Sequence, residues 1–164
     1  MRAGMAVVRI REVRPSDLAV FFEQQRDPDA VRMAAFFSRD KDAFDAHWAK
    51  ILADPAVLIR TIEHEGNVAG NVGSWDFEGQ RYVGYWLGQP FWGKGIATKA
   101  LMEFLKMDWR PLLARVAKTN IASRRVLEKC GFVVVGEERS PVKPGGEEID
   151  DWIFARDSLL AGNL

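Results

Sequence analysis

Apolar and polar positions divide the chain into segments that alternate like strands and segments with helical spacing. Apolar and charged residues alternate from Val7 to Val13, which predicts a first strand. An amphipathic helix is predicted to start behind Ser16, as its N-terminal cap, and to stop at Asp27-Pro28. Residues 29–37 are ambiguous and compatible with a short helix and a loop, whereas residues 40–53 predict a second full helix.

The middle of the chain predicts antiparallel strands joined by tight turns. Residues 56–65 and 68–77 predict a hairpin around the turn Glu65-Gly66-Asn67. A second turn at residues 78–80 leads into a further strand, Arg81–Leu87. Three consecutive strands of this kind are typical of a meander in which each strand pairs with the next.

Helices lie between the later strands. One follows a glycine-rich turn, and its apolar stripe consists of Ile96, Ala97, Ala100, Leu101, Phe104 and Leu105. Leu112–Ala117 predicts a buried strand, and a helix runs from its cap Asn120 to Gly131. A strand from Val133, a turn at residues 141–146 and a last strand over residues 149–156 follow. This order predicts one domain, residues 1–164, of the α/β (α+β) class, with a mixed sheet and helices on both faces.

Composition narrows the function classes. The 164 residues include 23 basic and 23 acidic side chains, and this balance gives no support for binding to nucleic acid or to a membrane surface. The single cysteine, Cys130, excludes an internal disulfide, and neither His47 nor His64 has a partner at ligand spacing, so no metal is expected. No signal-peptide core and no membrane-spanning apolar run is evident, so we expect a cytoplasmic protein.

The glycine-rich turn within Gln89–Thr98 is the strongest candidate for chemistry. Glycines let the backbone approach a ligand closely, and the N–H groups of the following helix favour an anion such as phosphate. A P-loop would need Ser or Thr where Gly95 stands, and a dinucleotide fingerprint would need glycine where Thr98 stands. A plain turn without ligand is a further alternative.

A second motif favours another phosphate-binding family. The segment Gly93-Lys94-Gly95-Ile96-Ala97 resembles the acetyl-CoA pyrophosphate loop of the GNAT acetyltransferases. Residues 120–132, which end in Gly131-Phe132, resemble the second CoA-binding segment of that family, and Gly84-Tyr85-Trp86-Leu87 looks like its preceding strand. The spacing is similar to that of the subgroup containing the ribosomal-protein alanine N-acetyltransferases of RimJ and RimL type.

The resemblance implies a mainly antiparallel central sheet whose fourth and fifth strands splay apart, with acetyl-CoA as cosubstrate between them. It implies a backbone N–H near Trp86 or Leu87 that polarises the thioester carbonyl as an oxyanion hole does. Asn120 would contact the pantetheine arm, and Arg124 and Lys129 are candidates for the adenosine phosphate. The cofactor-binding residues implied are Trp86, Leu87, Trp92, Gly93, Lys94, Gly95, Ile96, Ala97, Thr98, Asn120, Ser123, Arg124 and Lys129.

The catalytic groups depart from the usual family pattern. Leu127 stands where many members carry a tyrosine acid, so Ser123 is the matching candidate for a hydrogen bond to the departing sulfur. No glutamate base precedes the Gly84-Tyr85 step, and the candidates acting through water are Asp76, Glu78, Glu137, Asp150 and Asp151. Tyr85 and Trp86 are neighbours on a strand, so one of them must face the core.

The resemblance implies an N-acetyltransferase in which a primary amine attacks the thioester directly, without a covalent enzyme intermediate. We expect the acceptor to be a protein N-terminus or a small molecule. A missing base favours an α-amine, whose pKa of about 7.7–8.0 lies well below the ~10.4 of a lysine, or a small amine of low pKa. The protein would act as a monomer or a homodimer. The alternative function is a non-catalytic acyl-CoA-binding module.

Overall fold

A computed structural model describes residues 7–35, 37–139 and 149–156. Its seven strands form one sheet in the spatial order β1-β2-β3-β4-β5-β7-β6. All neighbouring pairs are antiparallel except β4 and β5, which are parallel, so the predicted mixed and mainly antiparallel sheet is confirmed. The strands are β1 Val8–Arg11, β2 Leu58–His64, β3 Asn67–Phe77, β4 Gln80–Leu87, β5 Leu112–Ala117, β6 Val133–Glu138 and β7 Asp151–Arg156.

Five α-helices and one short 3-10 turn are present in the described ranges. The helices are α1 Asp17–Gln25, α2 Pro28–Ala34, α3 Lys41–Ala53, α4 Ile96–Leu105 and α5 Ile121–Lys129, and the 3-10 turn is Gln89–Phe91. The ambiguous segment 29–37 therefore contributes a helix, which begins at Pro28 behind the capping carboxylate of Asp27. The turn predicted at residues 141–146 lies outside the described residues.

The fourth and fifth strands separate, as expected. β4 and β5 pair at one position, Tyr82 with Leu113, near the beginning of each strand. Further along, β4 keeps its partner β3 up to Leu87, while β5 continues beside β7. Because both strands run in the same direction, the gap between them opens toward their carboxyl ends, where the glycine-rich turn and the start of α5 lie.

Helices cover both faces of the sheet. On the first face, the apolar stripe of α4 packs onto the sheet, and Phe104 and Ala100 are fully buried there. Leu127 and Cys130, near the end of α5, join the same core. On the second face, α1 and α3 build an aromatic cluster in which the rings of Phe21 and Trp48 lie 5.0 Å apart. Among the helices of the described ranges, none has both the length and the apolar character that a membrane span requires.

The start of α1 differs from the sequence-based expectation. Ser16 occupies the capping position, but its side chain makes no capping hydrogen bond. The neighbouring Asp17 instead accepts from the backbone N–H of Arg14 at 2.8 Å, from Thr61 Oγ1 at 2.7 Å and from Arg11 Nη1 at 2.7 Å. Asp17 is only 2% exposed, so this carboxylate joins α1 to strands β1 and β2 from the interior.

Because Asp17 is buried and hydrogen-bonded as a carboxylate, we expect the folded protein to lose stability in acid. Burial alone would raise the pKa of Asp17, but hydrogen bonds from Arg11, the Arg14 N–H and Thr61 outweigh it and lower the pKa from 3.8 to about 2. A lowered pKa stabilises the fold above the unfolded-state value, and the stabilisation disappears as pH falls through the folded-state value. We therefore expect the contribution of Asp17, roughly 2 kcal/mol, to vanish between about pH 4 and pH 2.

Urea unfolding at a series of pH values measures this contribution. The free energy of unfolding of Asp17→Asn should depend less steeply on pH below about 4 than that of the wild type. Asp45→Asn is the control, because Asp45 is an exposed carboxylate that pairs with Lys41 on the surface of α3. An Asp17→Asn variant with the same acid slope as the wild type would contradict the assignment.

Candidate functional site

A cavity of about 370 Å³ lies where β4 and β5 separate. It spans the sheet, because α4 and α5 line it on the first face and α2 lines it on the second. Its lining residues are Ala30, Met33 and Ala34 of α2, Tyr85, Trp86 and Leu87 of β4, Phe91, Trp92, Gly93 and Gly95 of the turn, Ile96, Ala97 and Thr98 of α4, and Asn120, Ala122, Ser123, Arg125, Val126 and Lys129 around α5.

The glycine-rich turn has the backbone geometry that the sequence predicts for an anion cradle. Gly93 and Gly95 adopt φ values of 72° and 75°, in the left-handed region that favours glycine. Gly95 is the capping residue of α4, and no side chain caps the helix. A Cβ placed on either glycine would meet no atom within 4 Å, so the space above the turn is open to a ligand. The first residues of α4, Ile96, Ala97 and Thr98, line the cavity.

Trp92 anchors this turn to the end of β4. It replaces the Gln or Arg that is usual before the first glycine of the loop in the family that the sequence resembles. Its indole Nε1 donates to the backbone carbonyl of Leu87 at 2.8 Å. The hydrogen bond fixes the turn relative to the last residue of β4, and Trp92 also lines the cavity.

Most of the predicted cofactor-binding residues lie together at the cavity, and two do not. Lys94 and Arg124 are absent from its lining. Lys94 is exposed in the turn. The guanidinium of Arg124 pairs with Glu128 at 2.8 Å and lies 5.2 Å from the ring centre of Trp152. Arg125, which the sequence analysis did not single out, lines the cavity one turn of α5 before Lys129.

Asn120 caps α5 and also lines the cavity. Its side-chain oxygen accepts from the backbone N–H of Ser123 at 3.1 Å and so caps α5. The same residue lines the cavity at the mouth of the gap between the strands. Since the cap orients the first turn of α5, it also holds Ser123 toward the cavity.

Ser123 and Tyr85 form a pair of hydroxyl groups at the cavity wall. Burial raises the pKa of the Tyr85 phenol to about 12, while a hydrogen bond with Ser123 acts in the opposite direction. Tyr85 therefore stays protonated at neutral pH. Of the two neighbours on β4, Tyr85 packs on the core of the first face, while the Trp86 indole donates to the carbonyl of Gln24 in α1 on the second. Leu127, at the position of the usual tyrosine acid, is buried in the core.

The backbone N–H of Leu87 points away from β3. Gly88 N donates to Ala69 O at 2.8 Å, and Gly70 stands opposite Leu87 in the antiparallel register. In an antiparallel ladder, residue pairs that exchange hydrogen bonds alternate with pairs that exchange none. Ala69 and Gly88 are hydrogen-bonded, so the adjacent pair Gly70 and Leu87 is not, and the N–H of Leu87 points to the other side of its strand. β5 has separated from β4 on that side, which leaves the donor beside the gap.

The charged residues that line the cavity are both basic, Arg125 and Lys129. None of the five candidate carboxylates lines it. Asp76 lies near Arg81 at 3.3 Å, Glu137 pairs with Lys118 at 2.7 Å, and Asp151 pairs with Arg115 at 2.7 Å. Within the described ranges, no group of three or more His, Cys, Asp or Glu residues is arranged to hold a metal ion.

Most of the chain is similar in sequence to known proteins. Residues 8–133 match the acetyltransferase (GNAT) domain. A curated relative, the Probable N-acetyltransferase YjcK of Bacillus subtilis (strain 168), is 35% identical over an alignment of 79 positions that covers 45% of this chain. The aligned segment spans 44% of that relative's length.

Solved structures share the fold at low sequence identity. The spermidine N-acetyltransferase of Vibrio cholerae, in complex with CoA and spermine, superposes with a TM-score of 0.80 at 17% identity, covering 91% of this chain and 94% of that one. RimL, a ribosomal L7/L12 α-N-protein acetyltransferase in complex with coenzyme A, superposes with a TM-score of 0.78 at 19% identity, covering 92% and 93% of the two chains.

Proposed function

Since the chain belongs to the acetyltransferase (GNAT) domain family, we propose that it transfers an acetyl group from acetyl-CoA to a primary amine. The observation that carries the proposal is the cavity that joins an open anion cradle at α4 to a backbone donor at the end of β4. Family membership also argues against a P-loop nucleotide hydrolase, which would require a different turn and a parallel sheet.

The turn and the two helices would hold the cofactor. The backbone of Gly93 to Ala97 and the positive end of the α4 dipole suit the pyrophosphate. Asn120 suits the pantetheine arm, and Arg125 and Lys129 lie on the same face of α5, where they suit the adenosine phosphate. The arm would run through the gap between β4 and β5 and bring the thioester to Leu87.

The reaction needs a neutral amine, a polarised carbonyl and a stabilised leaving group. The amine nitrogen bonds to the thioester carbon, and the carbon–sulfur bond breaks to release the CoA thiolate. The Leu87 N–H would stabilise the developing oxyanion, and Ser123 would donate a hydrogen bond to the sulfur. The proton lost by the nitrogen leaves through water or to the thiolate, whose thiol pKa is ~8.5. The phenol of Tyr85, which is protonated at neutral pH, would hydrogen-bond with the Ser123 hydroxyl and so help to orient it.

The acceptor that fits this cavity best is an α-amine, such as a protein N-terminus or a small amino compound. No carboxylate lines the described cavity, so nothing there neutralises a polycation or removes a proton directly from an ammonium group. An α-amine with a pKa of about 7.7–8.0 is partly neutral at pH 7, whereas deprotonating a lysine amine of pKa ~10.4 costs about 4–5 kcal/mol. This choice agrees with the RimJ and RimL subgroup that the motifs resemble.

The acceptor class is tested by thiol release from acetyl-CoA at pH 6–10 with matched α- and ε-amines. A short peptide with a free N-terminus is compared with the same peptide blocked at its N-terminus and carrying one lysine. We expect turnover of the α-amine near neutral pH, and turnover of the ε-amine that rises only toward pH 9–10. Equal pH profiles would refute the choice of an α-amine. If acetyl-CoA binds but releases no thiol in the presence of any amine, the result would favour the non-catalytic acyl-CoA-binding module.

Arg125 and Arg124 provide a matched pair of variants on the same helix. We expect Arg125→Ala to weaken acetyl-CoA binding about 5-fold, because an exposed charge pair contributes on the order of 1 kcal/mol. Arg124→Ala should change the dissociation constant by less than about 2-fold, since Arg124 pairs with Glu128 outside the cavity. Calorimetry with CoA and with dephospho-CoA checks the assignment. The deficit of Arg125→Ala should disappear with dephospho-CoA, and a larger loss for Arg124→Ala would reverse the assignment.

A further inference from the structure

Gly70 in β3 lies unusually close to the backbone of β4. It is buried and stands opposite Leu87 in the strand register. A Cβ on Gly70 would overlap the carbonyl oxygen of Trp86 and lie 3.0 Å from Cα of Leu87, and real Cβ atoms essentially never approach a heavy atom more closely than 3.0 Å. Both neighbours are backbone atoms, so a side chain at this position cannot be accommodated by a change of rotamer.

The atom that Gly70 accommodates belongs to the same peptide group as the Leu87 N–H. A peptide group is planar and trans, so its carbonyl and its N–H point in opposite directions. Because the Trp86 carbonyl is directed toward β3 at Gly70, the Leu87 N–H is directed away from β3, to the side where β5 has separated. The absence of a side chain at residue 70 therefore permits this orientation of the donor.

We propose that Gly70 is a positioning residue for acetyl transfer, because it lets the Trp86–Leu87 peptide turn its N–H into the gap that receives the thioester. The inference rests on the proposed function. A methyl group at residue 70 would push the Trp86 carbonyl aside and rotate the whole peptide plane. The N–H would then leave the position of the oxyanion, while the turn at Gly93–Gly95 and the face of α5 would keep their geometry.

The test compares Gly70→Ala with Gly73→Ala, a matched change in the same strand. A Cβ on Gly73 would lie 2.9 Å from the carbonyl oxygen of Leu58 in β2, so it strains the sheet on the side away from the cavity. For Gly70→Ala we expect kcat to fall about 10- to 100-fold, with a dissociation constant for CoA within about 3-fold of wild type. Gly73→Ala should retain kcat even if its melting temperature falls further.

Infrared difference spectra of bound acetyl-CoA, labelled with ¹³C at the thioester carbonyl, report polarisation directly. The wild type should shift the carbonyl stretch to lower frequency, Gly73→Ala should keep this shift, and Gly70→Ala should lose most of it. Equal losses of kcat and of carbonyl shift in both variants would reduce Gly70 to a structural role and overturn the proposal. Full activity of Gly70→Ala would also overturn it.

Leu87→Pro covers the case in which Gly70→Ala does not fold. Proline removes the N–H, and it is tolerated in a strand where that N–H makes no ladder bond. We expect Leu87→Pro to fold, bind CoA and lose the carbonyl shift, whereas an unfolded protein or an unchanged shift would overturn the proposal. A wild-type protein that binds acetyl-CoA and shifts its carbonyl but acetylates no amine would refute the proposed function, whereas equal carbonyl shifts in the wild type, Gly70→Ala and Gly73→Ala would refute the role of Gly70 alone.

Discussion

The Gly95→Asp variant should bind acetyl-CoA at least about 100-fold more weakly than the wild type. Gly95 caps α4 at φ 75° with open space above it, where the pyrophosphate would lie. An aspartate adds a strained side chain and a negative charge at that point. Two like charges about 4 Å apart repel by about 4 kcal/mol at an effective dielectric constant of 20, and every ~1.4 kcal/mol changes a dissociation constant tenfold. Calorimetric titration measures the effect.

Gly66→Asp is the matched control for this variant. Gly66 also has a positive φ, 82°, and no atom within 4 Å of an added Cβ, but it lies in the turn between β2 and β3. Backbone strain and added charge are therefore the same in both variants, and only the position relative to the cavity differs. Gly93→Asp should behave like Gly95→Asp. Equal weakening by Gly66→Asp would mean that the glycine turn does not form the cradle.

The second large effect concerns stability at the opposite end of β4. Asp108, after α4, is 1% exposed and accepts hydrogen bonds from Ser74, from Arg81 Nε at 3.1 Å and from Arg110 Nε at 2.7 Å. Arg81 is itself only 7% exposed. We expect Asp108→Ala to lower the free energy of unfolding by about 3–5 kcal/mol, because it leaves a buried guanidinium without its main counter-charge. Urea unfolding near neutral pH measures this loss.

Asp76→Ala tests whether burial is the reason. Asp76 lies 3.3 Å from the same arginine, Arg81, but its side chain is 58% exposed. Because the Asp76 carboxylate is largely in water, its pairing with Arg81 contributes less than about 1 kcal/mol. Similar losses for Asp76→Ala and Asp108→Ala would show that the buried network around Asp108 is not the main source of the effect.

Regular local patterns explain why much of the fold was predictable. The stripe from Ile96 to Leu105 follows one face of a helix, and the structure buries all six of its apolar residues. The glycine turns and the alternation between residues 56 and 87 likewise reflect local backbone preferences. The separation of β4 and β5 was expected only from the family resemblance, because no local pattern encodes how two distant strands diverge.

The interior carboxylates show where sequence reasoning ends. Asp17 bonds to Thr61 across 44 positions, and Asp108 bonds to Ser74 across 34 positions. Hydrophobic periodicity does not indicate such long-range contacts. At the start of α1, Ser16 makes no capping hydrogen bond, and the side chain of the neighbouring Asp17 accepts the local backbone N–H of Arg14 instead. Both carboxylates stabilise the scaffold outside the cavity lining, which is why a motif search centred on chemistry does not reach them.

Unlike the interior carboxylates, Arg125 could be placed in the site from the sequence, because the helical spacing of α5 indicates its position. Ala122, Arg125, Val126 and Lys129 are separated by three and four positions and form one stripe of α5 that faces the cavity. Lys129 was already a candidate, so the helical period alone places Arg125 beside it and turns Arg124 toward Glu128. For basic residues on a helix that borders a cavity, the helical phase is therefore a better guide to the lining than the place in a motif.

We propose above all that the cavity binds acetyl-CoA through the glycine-rich turn. The most direct measurement is a calorimetric titration of the wild-type protein with acetyl-CoA, with ATP titrated in parallel. We expect micromolar binding of acetyl-CoA at one site per chain, and no binding of ATP in that range. Absence of acetyl-CoA binding, or preferential binding of ATP, would contradict the account.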